Sequence, residues 1–138
     1  REVLDLYLDP RQVVIEVTER TYADNQELFA RVLGELRKEG FRVAVDDLGS
    51  GYSNLSALAD IRPEFLKFDH LFTKDIHRNR IKQDLLGAIL SFAMKMDTQV
   101  IAEGIESVQE LEALRRLGVP LGQGYFLGRP GPIASIAA

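Results

Sequence analysis

The segment "VAVDDLGSGYSNL", residues 43–55, carries an alternating apolar pattern into two adjacent carboxylates, Asp46 and Asp47, and then into two glycines, Gly49 and Gly51. Three other apolar runs finish in the same way. Glu16 and Glu19 close "QVVIEVTE", Asp69 follows Lys67 in "EFLKFD", and Glu103 and Glu106 end "TQVIAEGIE". One acid at a strand end is ordinarily a turn residue or a helix cap, but four strand ends in succession need another explanation. Carboxylates gathered in a partly dry site repel one another and push their pKa values upward. Divalent cations remove that penalty. Hard oxygen ligands suit Mg²⁺ or Mn²⁺, and two such ions about 4 Å apart can activate water and clamp the oxygens of a phosphodiester. Bound cations would also let an acidic protein accept an anionic substrate. Lys67, the one cation among these acids, is suited to orienting a water or meeting a phosphate oxygen. The competing reading is a structural ion-pair network around Lys67.

These acids act together only if the elements carrying them place them on one rim. The β-like runs cover 12–19, 42–48, 64–69, 98–106 and, with a weaker pattern, 121–127. They alternate with helical stretches, which predicts βα units and a parallel sheet. Leu28, Phe29, Val32, Leu33 and Leu36 fall on one helical face and are read as core, with Gly40 as a stop. A longer amphipathic helix is predicted over 78–97. Ser107 and Glu110 form a capping box opening "SVQELEALRRLG", which ends at Gly118. In parallel α/β folds the C-terminal ends of the strands share one rim, where ligands collect, so the carboxylates should converge. His70 and His77 lack sequence neighbours at metal-ligand spacing and are read as surface residues. Gly49 and Gly51 are read as turn residues, since a lone Gly-x-Gly is weak evidence for phosphate binding.

Composition sets outer bounds. The chain has 138 residues, no cysteine and no tryptophan, with 46% hydrophobic and 28% charged residues, which is an ordinary globular composition. The absence of cysteine leaves no disulfide framework and no thiolate chemistry. A formal charge of −4 argues against a broad grip on a nucleic-acid polymer. No apolar run is long enough to cross a bilayer, and "REVLDLYLDP" is not a secretory leader, so the expectation is a cytoplasmic segment without membrane contact. The start at Arg1 and the ending "GPIASIAA" read as cuts.

"IEVTER", "VAVDDLGSGYSNL", "LKFD", "VIAEGIES" and "GQGYFLGRP" resemble, in order and with consistent separations, the successive motifs of the EAL-domain family. These are metal-dependent phosphodiesterases that open cyclic di-GMP to linear pGpG in bacterial second-messenger signalling. The resemblance implies a modified TIM (β/α)₈ barrel. A full barrel needs roughly 250 residues, so residues 1–138 are expected to be the C-terminal portion of an EAL domain. That portion would carry about five parallel strands alternating with helices, with the Glu-Ala-Leu motif and an Asn-containing motif lying upstream.

Carried over by motif, Glu16, Asp46 and Asp47 resemble metal ligands. Glu19 resembles the acid that steadies the loop after the Asp pair. Lys67 resembles the lysine that contacts the attacking water, with Asp69 beside it in support. Glu103 resembles the acid of the metal-water site proposed as general base, Glu106 a second acid near the substrate, and Gln123 another site residue. Leu48, Ser50 and His70 stand where Phe, Thr and Arg are common, and they leave the ligand positions intact. The implied cofactors are two Mg²⁺ or Mn²⁺ ions and the implied partner is cyclic di-GMP. A homodimer is expected, because an opened barrel has sheet edges that seek partners. The chain alone is expected to be inactive. The alternative is a catalytically silent EAL-type domain that senses cyclic di-GMP or docks a protein.

Overall fold

Strand register places the acids. In the computed structural model, which describes residues 8–48 and 55–132, five strands form one sheet in consecutive order: β1 (Val14–Thr18), β2 (Arg42–Leu48), β3 (Phe65–Phe68), β4 (Gln99–Ala102) and β5 (Leu121–Gly122). Every pairing is parallel. Successive side chains on a strand point to opposite faces, so each strand divides into two sets. Val43 and Val45, Leu66 and Phe68, and Val100 and Ala102 form the set that packs into the core, all of them buried. The register pairs Glu16 with Ala44, Thr18 with Asp46, Ala44 with Phe65 and Lys67 with Ile101. Glu16, Asp46 and Lys67 therefore belong to the opposite set. Burial of the first set against helices leaves the second as the face where polar groups can gather.

Helices return the chain between strands. They are α1 (Glu19–Asp24), α2 (Gln26–Lys38), α3 (Leu55–Ile61), α4 (His70–Thr73), α5 (Arg80–Lys95) and α6 (Val108–Leu117), with 3₁₀ turns at Pro10–Gln12 and Ile76–Arg78. Side-chain oxygens occupy the free N–H groups at their starts. Asn25 accepts from Leu28 N at 3.0 Å, Asn79 from Lys82 N at 3.0 Å, and Ser107 from Glu110 N at 3.2 Å. Leu58 and Ile61 of α3, Leu86 of α5, Leu114 of α6 and Ile76 join the strand residues in one core. Among the described residues no helix is long and apolar enough to cross a membrane.

Several expectations change. Apart from β2, which matches its run, the strands are shorter than the apolar runs, and the last is only two residues, so Glu103, Glu106 and Gln123 lie in loops beyond strand ends. The stripe on α2 is not all core. Leu33 is buried and Phe29 and Leu36 are partly so, but Leu28 and Val32 are about half exposed, at 49% and 50%. The helix expected from residue 78 begins at Arg80, after the 3₁₀ turn. The capping box at α6 is half formed. Ser107 caps Glu110, but the Glu110 carboxylate reaches past Ser107 to the backbone N–H of Glu106 at 2.9 Å. His77 is half-buried, with its Nδ1 enclosed, and its ring comes together with Asp75 and Glu110, which are remote from each other in sequence. The glycine turn at 49–51 lies outside the described residues.

One glycine is set by contact. Ile105 donates its N–H to Gln123 O at 3.1 Å and accepts from Phe126 N at 3.1 Å. Gly124 thereby lies flat on the Ile105 backbone, and a Cβ there would come within 2.3 Å of Ile105 N and O. Gly124→Ala should lower the unfolding free energy by about 1–3 kcal/mol through overpacking. Gly128→Ala, where nothing lies within 4 Å, should stay within about 0.5 kcal/mol. Urea denaturation of the complete domain compares them, and equal losses would remove the packing account.

Candidate metal centre

Lys67 is the centre of the polar face. It lies on β3, the middle strand, 6% exposed. A buried ammonium without acceptors is strongly disfavoured, and here its Nζ meets Glu16 Oε1 at 2.6 Å, Glu103 Oε1 at 2.8 Å and Asp46 Oδ2 at 4.0 Å. Three different strands or strand ends supply those acids. Burial acts to lower the Lys67 pKa, and the hydrogen bonds to Glu103 and Glu16 with the Asp46 charge outweigh it, so the ammonium is held more firmly than in water.

Asp46 and Asp47 pose a geometric difficulty, because neighbours on a regular strand face opposite ways. A break in the ladder resolves it. Val45 pairs with Leu66, yet Leu48 pairs with Phe68, so β2 has an extra residue in this interval, and Asp47 adopts a left-handed backbone with φ 62°. A bulge of this kind bends the strand and re-aims a side chain. Asp47 N–H donates to Asp46 Oδ1 at 2.7 Å, and carboxylate oxygens of Asp46, Asp47 and Glu103 all lie within 4.8 Å of one another. Three hard, anionic oxygen donors at that spacing fit a divalent cation such as Mg²⁺ or Mn²⁺.

The electrostatics match this reading. Burial, opposed by Lys67 and reinforced by Asp46, raises the Glu103 pKa above the usual carboxylate range. Asp47 is raised by partial burial and by the charges of Asp46 and Asp69. Carboxylates at such positions hold protons more readily than free ones until a cation replaces the proton.

The remaining expected residues are not all in this cluster. Asp69 caps α4, its Oδ1 accepting from Leu71 N at 2.7 Å, and meets His70 Nδ1 at 3.1 Å. Glu106 and Gln123 line a neighbouring cavity of about 420 Å³ with His70, Gly104, Tyr125 and Arg129. There the Arg129 guanidinium lies 5.0 Å from the centre of the Tyr125 ring. Glu19 opens α1, and its side chain is outside the described residues. Sequence reasoning passed over Arg129, although it stands in the quoted "GQGYFLGRP", and took Glu110 only as a helix-start residue.

Comparison with known proteins adds an independent finding. The EAL domain family matches residues 1–130. The cyclic di-GMP phosphodiesterase PdeR of Escherichia coli is 38% identical over 118 residues, which is 86% of this chain and 18% of PdeR. The cyclic di-GMP phosphodiesterase NbdA of Pseudomonas aeruginosa is 36% identical over 122 residues, 88% of this chain and 16% of NbdA. Among solved structures, a manganese/cy-diGMP complex of Klebsiella pneumoniae BlrP1 superimposes with a TM-score of 0.87 at 37% identity, covering 93% of this chain and 33% of that one. The EAL domain of Mycobacterium smegmatis DcpA gives 0.89 at 29% identity, covering 98% and 61%. The chain thus spans less than a fifth of the two curated relatives.

The Lys67 arrangement can be tested without a ligand. Lys67→Met removes the charge that opposes protonation of Glu103 and Asp47, so their folded-state pKa values rise further above the unfolded ones. A carboxylate with a raised folded pKa contributes stability below its unfolded pKa and loses it as pH rises through the folded value. In metal-free protein, the deficit of Lys67→Met in melting temperature relative to wild type should therefore be smallest below the ordinary glutamate value of 4.5 and grow towards neutrality. A deficit independent of pH would mean that Lys67 does not govern these carboxylates.

Proposed function

Because the chain belongs to the EAL domain family, we propose that it supplies the Lys67 centre and adjoining nucleotide cavity of a domain that hydrolyses cyclic di-GMP to linear pGpG. The observation that carries this reading is one ammonium held by Glu16 and Glu103 beside three carboxylates at cation-binding spacing. Asp46, Asp47 and Glu103 would hold the cation, with Glu16 adjoining them, and Mg²⁺ or Mn²⁺ bound there would acidify water and offset phosphate charge. An upstream part of the domain, with the Glu-Ala-Leu motif, would complete the ligand set. Cytoplasmic action and a homodimer of this chain through its open sheet edges belong to the same reading.

The chain's own groups divide the work. Lys67 stays protonated, so it serves as a hydrogen-bond donor that orients the attacking water or a phosphoryl oxygen rather than as a base. Glu103, raised by burial, is suited to accept the proton that the water loses as its oxygen bonds to phosphorus. The bond from phosphorus to the ribose 3′-oxygen breaks, that oxygen takes a proton from solvent water and leaves as a hydroxyl, and a linear dinucleotide with a 5′-phosphate results. Glu106 and Gln123 present acceptor and donor groups to the nucleotide, while Tyr125 and Arg129 offer planar faces to a base. Asp69 supports the site from its helix cap.

Replacing Glu103 by Gln keeps size and removes the proton-accepting charge. In the complete domain, hydrolysis of cyclic di-GMP with Mn²⁺ should fall by at least a factor of about 10², while nucleotide binding is largely kept. Residues 1–138 alone should show no turnover. Full hydrolysis by the Gln variant at saturating Mn²⁺ would assign the proton transfer elsewhere, and a complete wild-type domain that binds cyclic di-GMP without cleaving it would favour the sensor alternative.

A further inference from the structure

Glu110 is 5% exposed, on the first turn of α6, and its two carboxylate oxygens serve two different loops. Oε1 accepts from the backbone N–H of Glu106 at 2.9 Å, and Oε2 accepts from the backbone N–H of Asp75 at 2.9 Å. Burial works to raise its pKa, and the hydrogen bonds from Glu106, Asp75 and Ser107 outweigh this and lower it. The Glu106 loop is the one that carries Glu103. Glu103 N–H is tied to Phe68 O at 3.1 Å and Ile105 N–H to Gln123 O at 3.1 Å. Gly104 between them turns with φ 70°, so close to His70 that a Cβ would come within 2.2 Å of His70 Cβ. The loop is thus pinned to β3 at one point and to the β5 side at another, and Glu110 anchors its far end to the Asp75 turn. That turn follows β3, which carries Lys67, and α4, which Asp69 caps, and it is itself in a left-handed backbone with Asp75 at φ 55°.

We propose that Glu110 is a positioning residue, a buried two-sided strut that fixes the Glu103–Glu106 loop against the Asp75 turn and so sets where Glu103 stands relative to Lys67. The proposal rests on the phosphodiesterase reading for its kinetic consequence but not for the strut itself. A charged acceptor facing two backbone donors makes strong, directional bonds, and it adds to the core packing of Ile76 and Ile105 on either side. Glu110 touches neither substrate nor cation in this scheme.

The test uses the complete domain and reads amide exchange in metal-free protein beside hydrolysis with Mn²⁺. In Glu110→Ala, the amides of Glu106 and Asp75 should exchange at least about 10-fold faster than in wild type. The same variant should lose at least about 10-fold in kcat and need more Mn²⁺ for half-activity, with KM within about 3-fold. Glu110→Gln leaves one acceptor oxygen for two N–H donors, so one of the two amides, Glu106 or Asp75, should exchange faster while the other stays protected, and kcat should fall by at least about 3-fold. Ala113→Gly weakens the same helix without cutting the strut and should keep wild-type kcat.

A folded Glu110→Ala with wild-type kcat and Mn²⁺ dependence would overturn the proposal, as would an equal loss in Ala113→Gly at the same drop in melting temperature. If the Ala variant does not fold, the Gln variant decides: wild-type exchange at both amides, or faster exchange at one of them with wild-type kcat and Mn²⁺ dependence, would also overturn it. A wild-type domain that does not hydrolyse cyclic di-GMP would sink the phosphodiesterase reading alone, and the exchange measurements would still judge the strut.

Discussion

The buried ammonium of Lys67 is the constraint on which the polar side of this sheet depends. It sits on the central strand with almost no access to water, so its charge must be met by the protein. Glu16 comes from β1, Asp46 from β2 and Glu103 from the end of β4. Satisfying one cation therefore holds four strands in a single register. Conversely, that cation offsets the mutual repulsion of the three carboxylates around it. The ion-pair network around Lys67 and the carboxylates at cation-binding spacing share Asp46 and Glu103.

Around that centre the backbone departs from regularity where direction matters. The extra residue in β2 and the left-handed Asp47 bring two consecutive carboxylates to one place. The loop after β4 is held by backbone bonds to the β3 side and the β5 side, by the close approach of Gly124 to Ile105, and by the Glu110 carboxylate. Regular strands supply the rim, and these irregularities aim the groups on it. The adjoining cavity, with Glu106, Gln123, Tyr125 and Arg129, continues from the same loops.

Much of this was legible in the chain. Alternation in "RVAVDDL" marks β2 from Arg42 to Leu48, and Ser107 opens a helix by accepting the Glu110 N–H. The order of motifs was specific enough to point to the family that residues 1–130 match. The misreadings share a cause. Leu28 and Val32 have the spacing of a buried face, but spacing only says that they share a side of α2, and the neighbouring elements decide whether that side is covered. The late apolar run "LGQGYFL" looks like a strand, yet only Leu121 and Gly122 pair, because the rest turns back over Ile105.

Local chemistry in the sequence determined the strand and helix types, the two-residue period that separates core from polar face, and the presence of acids at four strand ends, since all of these depend on neighbours within a few positions. Tertiary structure alone decided that Lys67 would be buried among three of those acids, that a bulge would turn Asp47 beside Asp46, and that Glu110 would bridge two loops. It also brought His77 to Asp75 and Glu110. Each of these joins groups tens of residues apart, or depends on a ladder register or backbone angle that no single stretch of chain specifies. They are selected only when burial of the strands' apolar faces brings distant charges close enough that each must find a counterpart.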